Sequence, residues 1–296
     1  VSVAPQPDGR DEGVPSEPGP ADQSPVEVSA DDDRTRPESA DDEPAAERPD
    51  LLPQHDPPAW LVEWPLAHRG LHDDAQGRPE NSLAAFAAAA EAGYGVELDV
   101  TLSRDRVPVI SHDPTLQRAA DRPEKVAELT VAELAAVQLG GTREQVPTLA
   151  AALRVLTDVP VMVELKQANL RAGALEAAVA SLLDAHPGPW CVASFNPASM
   201  RWFRRNRPDA VRVLTAGPIE EAKLPGFLRR RLAELKDLAG VAPHAVSYDL
   251  NGLPNPACDL WRARGGALVT WTATDAAELA RARQVADNVI FENVAP

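Results

Sequence analysis

The sequence predicts an α/β fold, a closed (β/α)8 barrel of TIM type, with a hairpin arm after strand two and a disordered acidic tail in front. Three observations predict it. Short apolar runs alternate with helical patterns eight times over roughly 240 residues, as parallel strands joined by crossover helices require. Polar residues gather at the C-terminal ends of the first three runs, where such barrels carry their sites. Composition changes abruptly near Pro58: residues 1 to 58 hold 16 acids against 4 bases, and the rest of the chain 29 against 25.

The net charge of −16 over 296 residues is therefore a property of the first segment. Rich in Pro, Asp, Glu and Ser and nearly free of aromatics, residues 1–58 are expected to be disordered, with the barrel domain occupying 59–296. Acidity this strong argues against nucleic acid as a partner. Apolar content of 44% is ample for a core, while no run approaches the roughly 20 residues of a membrane span. Cys191 and Cys258 are too few for a disulfide framework, and Cys191 in an apolar run reads as a buried thiol. A cytoplasmic location is expected, with a signal peptide removed before Val1 left open because the first residue is not Met.

Strands are expected to start near residues 65, 95, 159, 190, 211, 245, 267 and 288. Between them, helices are predicted over 82–92, 148–156, 175–185, 198–206, 221–239, 257–264 and 276–285. Asn81 is read as the cap of the first of these, and Thr130 with Glu133 as a capping box on a short extra helix. A doubly wound open sheet is the alternative, but no Gly-rich phosphate loop follows the first strand.

The second strand organises the site. Val96, Leu98, Val100 and Leu102 alternate with Glu97 and Asp99, so two carboxylates point one way from one strand. Only Ser103 to Arg106 separate this strand from Val107–Ile110, enough for a hairpin and too few for a parallel crossover. Pairing Leu102 with Val107 sets Glu97 opposite His112. His68 and Arg69 end strand one, and Glu164 and Lys166 end strand three. Strand acids alone would be a solvated sheet face, but strands of a closed parallel barrel are buried on both sides.

Three carboxylates without cysteine suit a hard divalent cation, Mg²⁺ or Ca²⁺, better than zinc. Arg69 and Lys166 beside it make a phosphate pocket, and two histidines supply an acid and a base. These parts add up to a metal-dependent phosphodiesterase.

The chain resembles the glycerophosphodiester phosphodiesterase family through His68-Arg69-Gly70, Pro79-Glu80-Asn81-Ser82, Glu97-Leu98-Asp99, His112-Asp113 and Glu164-Leu165-Lys166, in the family's order. The resemblance implies Glu97, Asp99 and Glu164 as metal ligands, His68 and His112 as the acid/base pair, and Arg69 as a phosphate clamp. Lys166 would be a second clamp or an orienter of Glu164. The products would be glycerol 3-phosphate and an alcohol, released by attack of water or of a neighbouring substrate hydroxyl. Asp105-Arg106 stands where the family usually has Asp-Gly, and Asn288 to Glu292 replaces the common Ile-Thr-Asp ending. Neither is expected to touch the site.

Phe195 and Trp271 end strands and are candidates for the substrate-binding wall or for core packing. Tyr248 and Asp249 are candidates for meeting the alcohol, or plain rim residues. His72, His186 and His244 read as surface residues, and His55 as part of the tail. The helix holding Phe227, Leu228, Leu232 and Leu235 beside Arg229–Arg231 reads as a core-facing barrel helix, with peripheral membrane contact as its alternative. Two other functions compete with the leading one: a lysophospholipase D on the same barrel, and a catalytically silent phosphodiester-binding barrel. Retention of both histidines and all three acids argues against the second.

Overall fold

Nine strands form one continuous sheet in the computed structural model, which describes residues 48–166, 171–218 and 226–296. They are β1 (Leu66–His68), β2 (Gly95–Leu102), β3 (Pro108–Ile110), β4 (Val161–Leu165), β5 (Trp190–Ser194), β6 (Arg212–Ala216), β7 (Ala245–Asp249), β8 (Ala267–Ala273) and β9 (Asn288–Phe291). Around the ring the order is β1-β2-β4-β5-β6-β7-β8-β9, and β9 pairs back onto β1, so the sheet closes. All eight ring strands are parallel, as a βαβ repeat demands, and β3 hangs antiparallel from β2 as the hairpin arm. Closure removes the edges an open sheet would leave, and the barrel expectation holds.

Strand alternation divides the core into two layers. Val96, Leu98 and Val100 face outward into the layer between strands and helices, with Phe86, Leu149, Leu165 and Val179. Leu66, Met162, Cys191, Val213, Ala245, Val269 and Ile290 fill the lumen, and Leu61 joins them from the helix Ala59–Glu63. Residues of strand parity equal to these, one or two steps further along, form the mouth. The arm has a small core of its own: Val109, Leu116, Val126, Leu134, Val137, Leu139 and Val146.

Helix starts follow their capping chemistry. Ser82 Oγ accepts from Ala85 N and Thr148 Oγ1 from Ala151 N, each satisfying an amide with no partner within the helix. Thr130 and Glu133 make the expected reciprocal box. The helix Leu83–Glu91 is thus capped by Ser82 rather than Asn81, which frees Asn81 for the site.

Three expectations need correction. The hairpin pairs Leu102 with Pro108 and Val100 with Ile110, one residue away from the expected register. Its loop is Arg104–Arg106, with Arg106 at φ 63, so Ser103 N donates to Val107 O and Asp99 lies opposite Ser111. Packing also begins before Pro58: Leu51 is fully buried in the core, Arg48 donates to Glu234 O, and His55 stacks on His244 with ring centroids 4.5 Å apart. Residues 1–47 of the expected tail lie outside the described residues. The helix expected over 221–239 has its start outside them too. The described part is Gly226–Ala233 followed by Leu238–Val241, with Phe227 70% exposed and Leu232 and Leu235 buried, so Phe227 does not face the core.

Candidate active site

A cleft of about 480 Å³ opens at the C-terminal ends of the strands. His68, Arg69, Glu97, Asp99, His112, Glu164, Lys166, Phe195 and Trp271 all line it. The predicted catalytic and metal-ligating residues, with Phe195 and Trp271, are therefore in one place: strand parity points most of them inward, and the turn after β1 brings in Arg69.

Glu97 and Asp99 are 2% and 1% exposed, and Glu164 9%. One carboxylate oxygen from each lies within 4.8 Å of the other two. Burial, then the charges of Asp99 and Glu164, push the Glu97 carboxyl well above its ordinary range. Burial acts upward on Asp99 as well, but Lys166, His112 and Arg69 pull it below the usual carboxylate range. Lys166 Nζ sits 3.0 Å from Asp99 Oδ1 and 2.5 Å from Glu164 Oε1. Burial alone would lower its ammonium, yet these acids raise it. This donor set fits a hard divalent cation: oxygens that close can share a centre about 2.0–2.6 Å from each. Crowded, buried negative charge is the environment in which such an ion is held.

Arg69 and Asn81 shape the near side. The chain turns sharply after β1, with Arg69 at φ 57 and Gly70 at φ 84. A Cβ on Gly70 would come within 2.8 Å of the Ala85 backbone, so only glycine fits beneath the following helix. The turn brings Arg69 Nε within 3.2 Å of Asp99 Oδ2, and Arg69 Nη1 donates to both Glu80 oxygens at 3.0 Å. Asn81, also left-handed at φ 57, donates from Nδ2 to Asp99 Oδ2 at 2.9 Å.

Each histidine is tied to a carboxylate. His68 Nδ1 lies 2.6 Å from Glu292 Oε2, and His112 Nδ1 2.7 Å from Asp113 Oδ1. Ionised carboxylates only accept, so both Nδ1 atoms carry hydrogen and Nε2 is left for the cleft. Hydrogen bonds from His68, then His72, hold Glu292 far below its ordinary range. Two expectations fall here. The closing segment does touch the site, through Glu292, and His72 is no free surface residue, its Nε2 being 3.7 Å from Glu292 Oε2. Burial lowers His112 despite the opposing pull of Asp99.

Arg118 joins the two sides of this network. It meets Glu80 through both Nη atoms at 2.7 and 2.8 Å and Asp113 through Nε at 2.7 Å. The opposite half of the mouth is neutral: Phe195 meets Trp271 edge to face at 5.6 Å, with Thr215 and Ser247 beside them. Tyr248 and Asp249 do not line the cleft. Tyr248 points outward, its hydroxyl donating to Ala233 O, and Asp249 accepts from Asn251 N.

Sequence reasoning gave no site role to Glu292, Glu80, Asp113, Arg118, Thr215 or Ser247. Inward parity on β6 and β7 signals the last two, and Glu80 and Asp113 stand within the motifs themselves. Nothing local marks Arg118, whose partners lie 5 and 38 residues away.

The geometry agrees with comparison to known proteins. Residues 68–294 match the model of the glycerophosphoryl diester phosphodiesterase family. The chain belongs to that family. Glycerophosphodiester phosphodiesterase 1 of Rattus norvegicus is 47% identical over 66 residues, 22% of this chain and 19% of the rat protein. The glycerophosphodiester phosphodiesterase of Caldanaerobacter subterraneus is 34% identical over 108 residues, 34% of this chain and 43% of that one. The matched stretch thus spans about a fifth of the mammalian relative. Among solved structures, a phosphodiesterase of Oleispira antarctica in complex with the product sn-glycerol-3-phosphate has a TM-score of 0.66 at 24% identity. The alignment covers 78% of this chain and 93% of that one. A glycerophosphodiester phosphodiesterase of Thermotoga maritima scores 0.58 at 24% identity, covering 76% and 92%. These two likenesses bear on the fold, which the family shares.

Proposed function

We propose that this member of the family hydrolyses glycerophosphodiesters to glycerol 3-phosphate and an alcohol, with one divalent cation, Mg²⁺ or Ca²⁺. One arrangement carries the reading: two histidines, each held at Nδ1 by a carboxylate, flank a buried three-carboxylate set in one cleft.

Glu97, Asp99 and Glu164 would hold the cation, whose charge, when bound, offsets negative charge developing on the phosphate oxygens. Arg69 and Lys166 contribute fixed positive charge to the same phosphate, and the acids around them fix where that charge sits. Of His68 and His112, one takes the proton of the attacking oxygen at Nε2 and the other delivers a proton to the departing ester oxygen. Glu292 and Asp113 hold the tautomers that make this exchange possible. Phe195 and Trp271 wall the side away from the charges and exclude water from the organic part of the substrate.

The test is release of glycerol 3-phosphate from glycerophosphocholine, with chelator and with Mg²⁺ or Ca²⁺ restored. Release that stops with chelator and returns with one ion is the expected result. No release with any ion removes the reading, and release only from lyso-lipids would reassign the substrate.

A further inference from the structure

His72 is outside the acid/base pair, yet it stands directly behind one member of it. Its Nε2 is buried and has no hydrogen-bond partner among the described residues. It lies 3.7 Å from Glu292 Oε2, the same oxygen that His68 Nδ1 approaches to 2.6 Å. A buried ring nitrogen left unpaired is costly, and a shift of about half an ångström brings this one within hydrogen-bond range of the carboxylate. Among the described residues lining the cleft, His72 is not one. Its route to the reaction therefore runs through Glu292.

The loop after β1 fixes the imidazole in place. On one side Leu71 N donates to Ala85 O at 3.0 Å. On the other, Asp73 N donates to Arg78 O at 2.7 Å, and Arg78 N donates back to Asp73 O at 3.0 Å. A side chain between two anchored residues and only 16% exposed has little freedom left to lose when it takes up a bond. Glu292 has more to lose. The bond from His68 fixes one of its oxygens without fixing the carboxylate plane, and Asn293 Nδ2 meets the other oxygen only at 3.3 Å. A second donor on Oε2 supplies the missing constraint.

We infer that His72 is a positioning residue for His68: its Nε2–H, directed at Glu292 Oε2, holds the carboxylate in the orientation that keeps hydrogen on His68 Nδ1 and leaves His68 Nε2 for the substrate. With two imidazoles sharing one oxygen, that oxygen is a poorer proton acceptor, so a proton gained by the His68 ring stays on the ring. The loop after β1 and the closing strand thus act on His68 together. This inference rests on the proposed reading that His68 exchanges a proton at Nε2, and adds the residue that holds its partner.

Two variants of the full chain separate positioning from packing. His72→Leu keeps the bulk and removes the donor, whereas His72→Gln keeps an N–H donor on a side chain of similar reach. With divalent cation present, His72→Leu should lower kcat on glycerophosphocholine about five- to tenfold with KM unchanged, and His72→Gln should recover most of that loss. In a Glu292→Gln background His72→Leu should cost nothing further, because the residue it acts through is already altered. Imidazole NMR supplies a readout that needs no turnover: the His68 Nδ1 proton should exchange with water about tenfold faster in His72→Leu than in wild type or His72→Gln. Equal losses in both backgrounds, equal losses in the Leu and Gln variants, or unchanged proton exchange would each overturn the inference. A wild-type chain that hydrolyses no glycerophosphodiester would instead overturn the proposed reaction, and the proton exchange would still decide whether His72 positions His68.

Discussion

Glu292 accepts a 2.6 Å hydrogen bond from His68 Nδ1 across the seam where β9 closes onto β1. The last strand of the chain thereby positions the first residue of the site. That pairing fixes the His68 tautomer and presents Nε2 to the cleft, the role an orienting carboxylate plays beside a catalytic imidazole. Glu292→Gln keeps the size and one acceptor but removes the charge and offers a competing donor. Turnover of glycerophosphocholine should fall about 10²-fold with little change in KM. Turnover within a factor of about three of wild type would show that His68 needs no carboxylate.

His112 is held the same way by Asp113, but from the arm rather than the barrel wall. His112→Ala should lower turnover by about 10²-fold or more while leaving the thermal transition and divalent-ion affinity near wild type. A variant that turns over normally would take His112 out of the reaction.

Arg118 couples the two sides, binding Glu80, which grips Arg69, and Asp113, which grips His112. Arg118→Met should lower turnover by roughly tenfold, because both grips loosen together. In a double-mutant cycle with Glu80→Gln the effects should be strongly non-additive, since the two residues act in one network. Additive losses would mean that Arg118 acts independently of the Arg69 clamp.

Much of this was legible in the sequence because parallel barrel strands announce themselves twice, by apolar runs and by polar residues at one end. Glu97, Asp99, Glu164 and Lys166 were readable from strand parity alone. The hairpin register was not, because one turn residue, Arg106, adopts a left-handed conformation that its type does not advertise. Asn81 looked like a cap since Asn favours caps, whereas Ser82 takes that role and Asn81 braces Asp99. Glu292 lies 224 residues from His68 and Arg118 lies 38 from Glu80, and only closure of the ring or folding of the arm brings these partners near. Leu51 stands in a Pro-rich acidic context that composition reads as tail, yet its own side chain is core.

The Glu97 carboxyl is pushed up by burial and by two like charges, those of Asp99 and Glu164. A cation bound in the proposed site would relieve that repulsion, and Glu97→Gln would subtract one carboxylate from the proposed ligand set. Calorimetric titration with Mg²⁺ and Ca²⁺ should show affinity weakened by roughly tenfold or more. Wild-type affinity in the variant would place the ion elsewhere.

The base of the barrel carries an acid-sensitive contact far from the reaction. Arg212, 1% exposed, donates from Nη2 to His55 Nε2 at 3.1 Å, and its backbone N–H donates to His244 Nδ1 at 3.2 Å. Both imidazoles act as acceptors, so each must be unprotonated at that nitrogen. Burial, then the Arg212 charge, lower the His244 pKa to about 4, and the same causes lower His55. A histidine whose folded pKa is depressed contributes its full stability above the unfolded value of about 6.5. That stability drains as pH falls from there to about 4, because the unfolded chain binds the proton first. His244 is only half-buried, so solvent screening reduces the full linkage value to about 1–2 kcal/mol. Chemical denaturation between pH 7.5 and 4 should therefore show a stability loss centred in this window on top of the general acid slope. His244→Gln retains an acceptor without a titrating ring, so its loss should be smaller by that amount; parallel curves for the two proteins would assign the acid sensitivity to other groups.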